Sequence, residues 1–183
     1  MINLNLENPY IPKRIYEING GVRVMEFVSP QKDGSEVPVY ASISPHPDPL
    51  LVNVYNLAFG PIKPDGTLDD KARLNHTDTS RIFSTAILFG YLFLLDQPGC
   101  SIGIDGSDEW RARLYHSMFL SNRIHLDEFF VTLGVEWFVK RLRNKEAEKD
   151  ENGAPFYKPR IEPFDYNRTR RELYGYYLLQ LRD

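Results

Sequence analysis

The chain has one cysteine, Cys100, in 183 residues. An intramolecular disulfide is therefore excluded, and so is a cysteine-rich zinc site. There is no excess of positive charge: Lys and Arg total 22 against 25 Asp and Glu, for a formal net charge of −3. No global positive field draws in nucleic acid, so such binding has to come from a local patch. Long hydrophobic runs are missing too. The longest apolar stretch, residues 82–95, falls short of the roughly 20 residues of a membrane span and is interrupted by Ser84 and Thr85. Residues 1–12 lack the basic-then-apolar order of a secretion signal. A soluble cytoplasmic protein without membrane association is expected. GxSxG, P-loop and GxGxxG motifs are absent. The four histidines, His46, His76, His116 and His125, show no HxH or HxxxH spacing, so neither a metal nor a cofactor is expected.

What is present suits one globular domain: 42% hydrophobic, 13% aromatic and 26% charged residues. Apolar runs at residues 15–18 and 22–28 flank Asn19-Gly20-Gly21, a hairpin signal because that turn needs positive φ. A strand is expected over residues 37–44, with Pro38 arguing for an edge or a late start. The strongest strand signal covers residues 50–59, with Leu51, Asn53, Tyr55, Leu57 and Phe59 on one face and Asn56 on the other. Both faces read as buried, which makes this strand central. A long polar loop follows to His76, containing Asp69-Asp70-Lys71.

Thr77, Asp78 or Thr79 caps a helix that runs to about Asp96, stopped by Pro98-Gly99. It is apolar nearly all round, as a central core helix would be. A short strand over residues 100–105 leads into a second helix, with Ser107 as N-cap and Asp108 and Glu109 in its first turn. Further strands are expected over residues 131–142 and 173–181. Residues 143–159, rich in Lys, Glu, Asp, Asn, Gly and Pro, read as a mobile excursion within a single domain.

The second helix carries the most informative residue. Stepping about 100° per residue gathers Trp110, Leu114, Tyr115, Met118 and Phe119 into one apolar sector with Arg111 near its centre. Arg113 and His116 fall on the opposite, solvated side. A guanidinium cannot shed its proton, so an inward-facing one must find an anion. Two readings stay open. Arg111 forms a structural ion pair, with Asp78, Asp105 or Asp127 as partner, or it lines a pocket for a phosphate or carboxylate.

Other candidates are weaker. Asn53 and Asp78 are polar groups beside core elements, suited to pinning loops or to facing a ligand alongside Arg111 and Tyr115. His116 and Arg113 are the candidates for acid–base and phosphoryl-stabilising roles. Arg168, Arg170 and Arg171 form the one dense basic run and the local patch through which nucleic acid could bind.

Three segments in order, Asn53-Val54-Tyr55-Asn56-Leu57-Ala58-Phe59-Gly60, then residues 75–78, then Gly106-Ser107 followed by Arg111, Arg113, Leu114 and Tyr115, resemble a small bacterial family. It is catalogued as domain of unknown function 6934 and is frequent in Bacteroidota. The resemblance spans roughly residues 16–142. Pro61 stands where the family pattern has an acidic residue. The resemblance implies a bacterial cytoplasmic protein of mixed α and β structure and supplies no catalytic residues.

The expected fold class is α+β, an antiparallel sheet of about five or six strands packed on two main helices. The expected function is a non-catalytic interaction or regulatory module, with a protein partner or a homodimer, such as one member of a toxin–antitoxin or phage-defence pair. The alternative is a toxin-like enzyme or binder acting on RNA or a nucleotide through the Arg/His site.

Overall fold

The structure, a computed structural model, describes residues 1–106, 108–169 and 171–182. Ser107 and Arg170, both singled out in the sequence, lie outside the described residues. The chain is α+β, as expected, but the sheet is larger and of mixed type. Its eight strands are β1 (Arg14–Ile18), β2 (Val22–Pro30), β3 (Glu36–Pro45), β4 (Val54–Gly60), β5 (Ser101–Asp105), β6 (Phe130–Val139), β7 (Tyr157–Pro163) and β8 (Tyr176–Leu181). Three helices accompany them: α1 (Thr79–Asp96), α2 (Glu109–Ser121) and α3 (Arg123–Phe129). The strand order is β1-β2-β3-β4-β5-β8-β6-β7.

Local chemistry accounts for the first half. Gly20 and Gly21 take positive φ in the turn that joins β1 to β2. Pro38 sits in β3 where β2 is paired but β4 is not, since pairing to β4 begins at Tyr40. The missing N–H therefore costs no ladder bond on the β4 side. Asp78 caps α1, its side chain accepting the Arg81 N–H. By length and composition α1 is apolar enough to cross a membrane. Ten of its residues, Phe83, Ile87 and Leu94 among them, are buried in this fold.

Two expectations need correction. The sheet is not wholly antiparallel: β4 and β5 run parallel, because the α1 crossover returns the chain to the same end of the sheet before β5 begins. The strand expected over residues 50–59 starts only at Val54; Asn53 is exposed in the preceding turn at φ 57 and donates no side chain to the core. Residues 143–159 hold bridges Arg141↔Ala147 and Lys149↔Pro155 at successive turns, and β7 begins at Tyr157. A third helix, α3, follows α2 directly.

The two faces of the sheet are covered differently. The main core gathers Phe27, Ile43, Leu57, Ile102, Tyr177 and Leu179 from the sheet with Ile87, Phe119 and Leu126 from the three helices. A smaller cluster on the other face holds Leu51, Val54, Val135, Tyr176 and Leu178, with no helical residue. Alternation along β4 and β8 sends Leu57 and Tyr177 to the first face and Asn56 and Tyr176 to the second.

Candidate functional site

β4 and β5 pair over only three positions, Val54↔Ser101, Tyr55↔Ile102 and Asn56↔Gly103. Beyond them the strands part, and a cavity of about 600 Å³ opens at their carboxyl ends. This is the crevice in which α/β sheets commonly bind ligands, where neighbouring parallel strands diverge. Leu57, Phe59 and Ile104 come from the strands, Ile82 and Phe83 from the start of α1, and Arg111, Leu114 and Tyr115 from α2. The loop of residues 61–76 covers one side. It is pressed onto the end of β4: a Cβ on Gly60 would stand 2.0 Å from the Asp69 carbonyl oxygen, so only glycine fits there.

Arg111 is the charged centre of this cavity and is 4% exposed. Its guanidinium is gripped by three carboxylates. Nε donates to Asp108, Nη1 to Asp70 at 2.9 Å, and Nη2 to Asp105 at 3.4 Å. The ion-pair reading thus has Asp105 among its expected partners, while Asp78 and Asp127 are engaged elsewhere. Asp78 caps α1, and Asp127 pairs with Arg123 and Arg182. Asp108 also accepts the Arg111 backbone N–H as the cap of α2. That bond, with the guanidinium, holds the Asp108 carboxyl below its ordinary range. Burial alone would lower the Arg111 pKa, but the carboxylates outweigh it and raise it. Asp70 arrives from the loop and was not singled out as a partner; the signal was the Asp69-Asp70 pair in an otherwise flexible-looking stretch.

Tyr115 lines the same cavity, and burial pushes its phenol pKa up, so it stays a neutral hydroxyl. His76 lines it too. Its Nδ1 accepts from Gln31 Nε2 at 3.1 Å and takes the Ser29 hydroxyl at 2.7 Å, which leaves the ring proton on Nε2. Trp110 is 57% exposed at the rim, with the Arg73 guanidinium 5.7 Å from its ring. Asn53 is not among the lining residues, and Asp78 is not either, although its neighbour Thr79 is.

The expected solvated face of α2 is half right. Arg113 is exposed and pairs with Glu109 one turn earlier. His116 is instead 4% exposed, packed against Phe164 at 5.3 Å and Tyr177 at 6.5 Å. The buried sector of α2 runs through Arg111, Ala112, Tyr115, His116, Met118 and Phe119, so it centres on Tyr115, and Trp110 lies outside it. The reason is tertiary: β8 and the Phe164 segment cover a side that helical periodicity assigned to water. His116 and Arg111 therefore do not share a pocket.

Arg168 is 12% exposed and bridges Glu136 at 2.5 Å and Glu162 at 2.6 Å, with its guanidinium 3.7 Å from the Tyr174 ring. Arg171 is exposed.

Burial lowers the pKa of His46, His76 and His116. The unfolded chain then takes up these protons first as pH falls through about 6.5. Stability is expected to decrease between pH 7.5 and pH 5.5, read as a drop in the urea midpoint. A midpoint that rises over that interval contradicts neutral, buried histidines.

With this geometry in hand, a family model described as "Family of unknown function (DUF6934)" matches residues 14–156. The chain belongs to this family. The match covers β1 through the turns before β7, and so includes every lining residue of the cavity. No curated protein and no solved structure matches the chain. Within the DUF6934 chain the three acidic partners of Arg111 all lie inside the matched region.

Proposed function

We propose that this DUF6934 chain is a non-catalytic regulatory module that takes a small, largely apolar ligand in the cavity at the ends of β4 and β5. Occupancy would be reported to a protein partner through the loop of residues 61–76. The observation that carries this reading is the saturation of Arg111 by Asp70, Asp105 and Asp108. A guanidinium held on three sides by carboxylates is a poor receptor for a phosphate. The lining charges balance, with Lys71, Arg73 and Arg111 against the three aspartates, so the cavity has no anion-attracting field. Its volume lies in the range of about 300–1,000 Å³ usual for small-molecule sites, with an apolar body and a few polar groups. The RNA or nucleotide enzyme draws no support from the geometry, because His116 and Arg113 point to different environments from Arg111.

The test uses Trp110 at the rim as reporter in a Trp137→Phe background. A neutral apolar probe such as N-phenyl-1-naphthylamine is expected to bind saturably, and Leu114→Phe, which enlarges a side chain that lines the cavity and packs on the main core, is expected to weaken that binding. Cleavage of single-stranded RNA by the purified chain, lost in His116→Ala or Arg113→Ala, would overturn the proposal.

A further inference from the structure

A second cavity of about 380 Å³ lies on the sheet face that carries no helix. Three aromatic rings shape it. Tyr176 forms the floor. The His46 ring stands 4.9 Å from it at an interplanar angle of 73°. The Trp137 ring stands 6.4 Å away at 76°. Two rings nearly perpendicular to a third make an open box rather than a stack.

Neighbouring residues hold each ring in place: Tyr176 is buried at 2% exposure, and His46 and Trp137 stand half-buried above it. The Tyr176 hydroxyl donates to Asn56 Oδ1 at 3.0 Å. The ring rests on Gly103, where a Cβ would stand 2.1 Å from its Cε1, so the seat exists only because that residue is glycine. Asp48 braces both walls: its backbone N–H donates to His46 Nδ1 at 3.0 Å, and its carboxylate accepts the Trp137 indole N–H at 3.3 Å. With Nδ1 used as an acceptor, the neutral imidazole carries its proton on Nε2.

Charge completes the picture. Asp105 lines this cavity as well as the first, and its carboxylate lies 3.4 Å from Arg111 Nη2. No lysine or arginine lines the second cavity among the described residues. Neutral aromatic faces beside a carboxylate attract a cation whose surface is covered by methyl groups. Such a cation is weakly hydrated and gains from the ring quadrupoles. A phosphate or a carboxylate ligand meets no lysine or arginine here among the described residues.

We propose that His46, Trp137 and Tyr176 form an aromatic cage that binds a methylated ammonium group, with Asp105 as its counter-charge. The cavity has room for a trimethylammonium head and a short stem. The proposal does not rest on the ligand of the first cavity; Asn56 and Asp105 line both cavities, but Trp110 lines only the first and Trp137 only the second.

The experiment uses the full chain with Trp110→Phe, so that fluorescence comes from Trp137. Choline and a peptide carrying trimethyllysine are titrated, alongside 3,3-dimethylbutan-1-ol, the uncharged shape analogue of choline. Saturable quenching by a cation is expected, with the uncharged analogue at least about fivefold weaker. Stronger binding of choline than of the peptide assigns a free small cation, and the reverse assigns a modified side chain. His46→Leu, which keeps the reporter, is expected to lose most of the response. Equal binding of the analogue, or no saturable response to either cation by the unaltered cage, overturns the proposal, and neither outcome depends on whether His46→Leu folds. Failure here leaves the Trp110 signal for the first cavity untouched.

Discussion

Arg111→Met is expected to destabilise the chain by about 2–3 kcal/mol. Removing one partner of a fully buried pair costs roughly 3–5 kcal/mol, because a charge is left uncompensated. Here the remaining carboxylates of Asp70, Asp105 and Asp108 are 36%, 39% and 47% exposed, so water screens part of the penalty. The pH dependence separates this cause from lost packing. In the intact chain the depressed Asp108 pKa contributes stability above the unfolded value near 4, and that contribution is lost as pH falls through the folded value. Without the guanidinium, three neighbouring carboxylates repel one another above pH 4 and are relieved by protonation below it. The difference between Arg111→Met and the intact chain should therefore be largest near neutral pH and shrink toward pH 3. Arg111→Lys should recover only part of the loss, since one ammonium cannot meet three carboxylates as a fork does. Urea denaturation across pH measures all of this. An unchanged or raised midpoint for Arg111→Met would show that the arginine is a ligand group maintained at a cost to the fold.

The second large effect concerns Tyr177, which joins β8 to α2. It is fully buried, lies 5.5–6.1 Å from the rings of Phe119, Tyr115 and Phe164, and donates its hydroxyl to the Ala112 carbonyl at 2.9 Å. Burial raises its pKa, which keeps it a donor. Tyr177→Ala opens a void that rigid neighbours from a helix and a strand cannot close, at a cost of about 3–5 kcal/mol. At about 2–4 °C per kcal/mol for a domain of this size, the melting temperature should fall by roughly 6–20 °C. Tyr177→Phe keeps the volume and should cost about 1 kcal/mol. A loss below that for the alanine variant would mean that α2 does not rest on β8 at this ring. Because Tyr115 packs on Tyr177, the alanine variant should also weaken probe binding at the first cavity before the chain melts.

Much of the local structure was legible because it is encoded locally. Asn19-Gly20-Gly21 specifies a tight turn through positive φ, and the β1–β2 hairpin forms around it. Asp78 and Pro98-Gly99 bracket α1, since a carboxylate satisfies free N–H groups and proline cannot continue the ladder. Even the parallel pairing of β4 and β5 had a signal, a strand, a long helix and a strand in succession, though the meander before it suggested an antiparallel continuation.

Other features carried no local mark. Strand β7 includes Pro159 and Pro163 and follows a polar stretch, and as an edge strand paired to β6 alone it needs little hydrophobic alternation. The place of β8 between β5 and β6 is a pairing of residues far apart in sequence. Helix α2 mixes Trp, Arg, Tyr and His around its circumference, so periodicity alone set its buried sector about one residue off, exposing Trp110 and burying His116.

From the sequence by itself came an inward arginine that had to be neutralised, because its charge is permanent whatever surrounds it. Only the tertiary structure decided how: a strand end and a helix cap close to Arg111 in sequence, and a loop residue 41 positions away, each deliver one carboxylate to the same guanidinium. The same holds for the second cavity. Its three rings belong to a loop and two strands, and nothing in their spacing announces a box, since that arrangement depends on the register of β6 against β8 and on the missing side chain of Gly103.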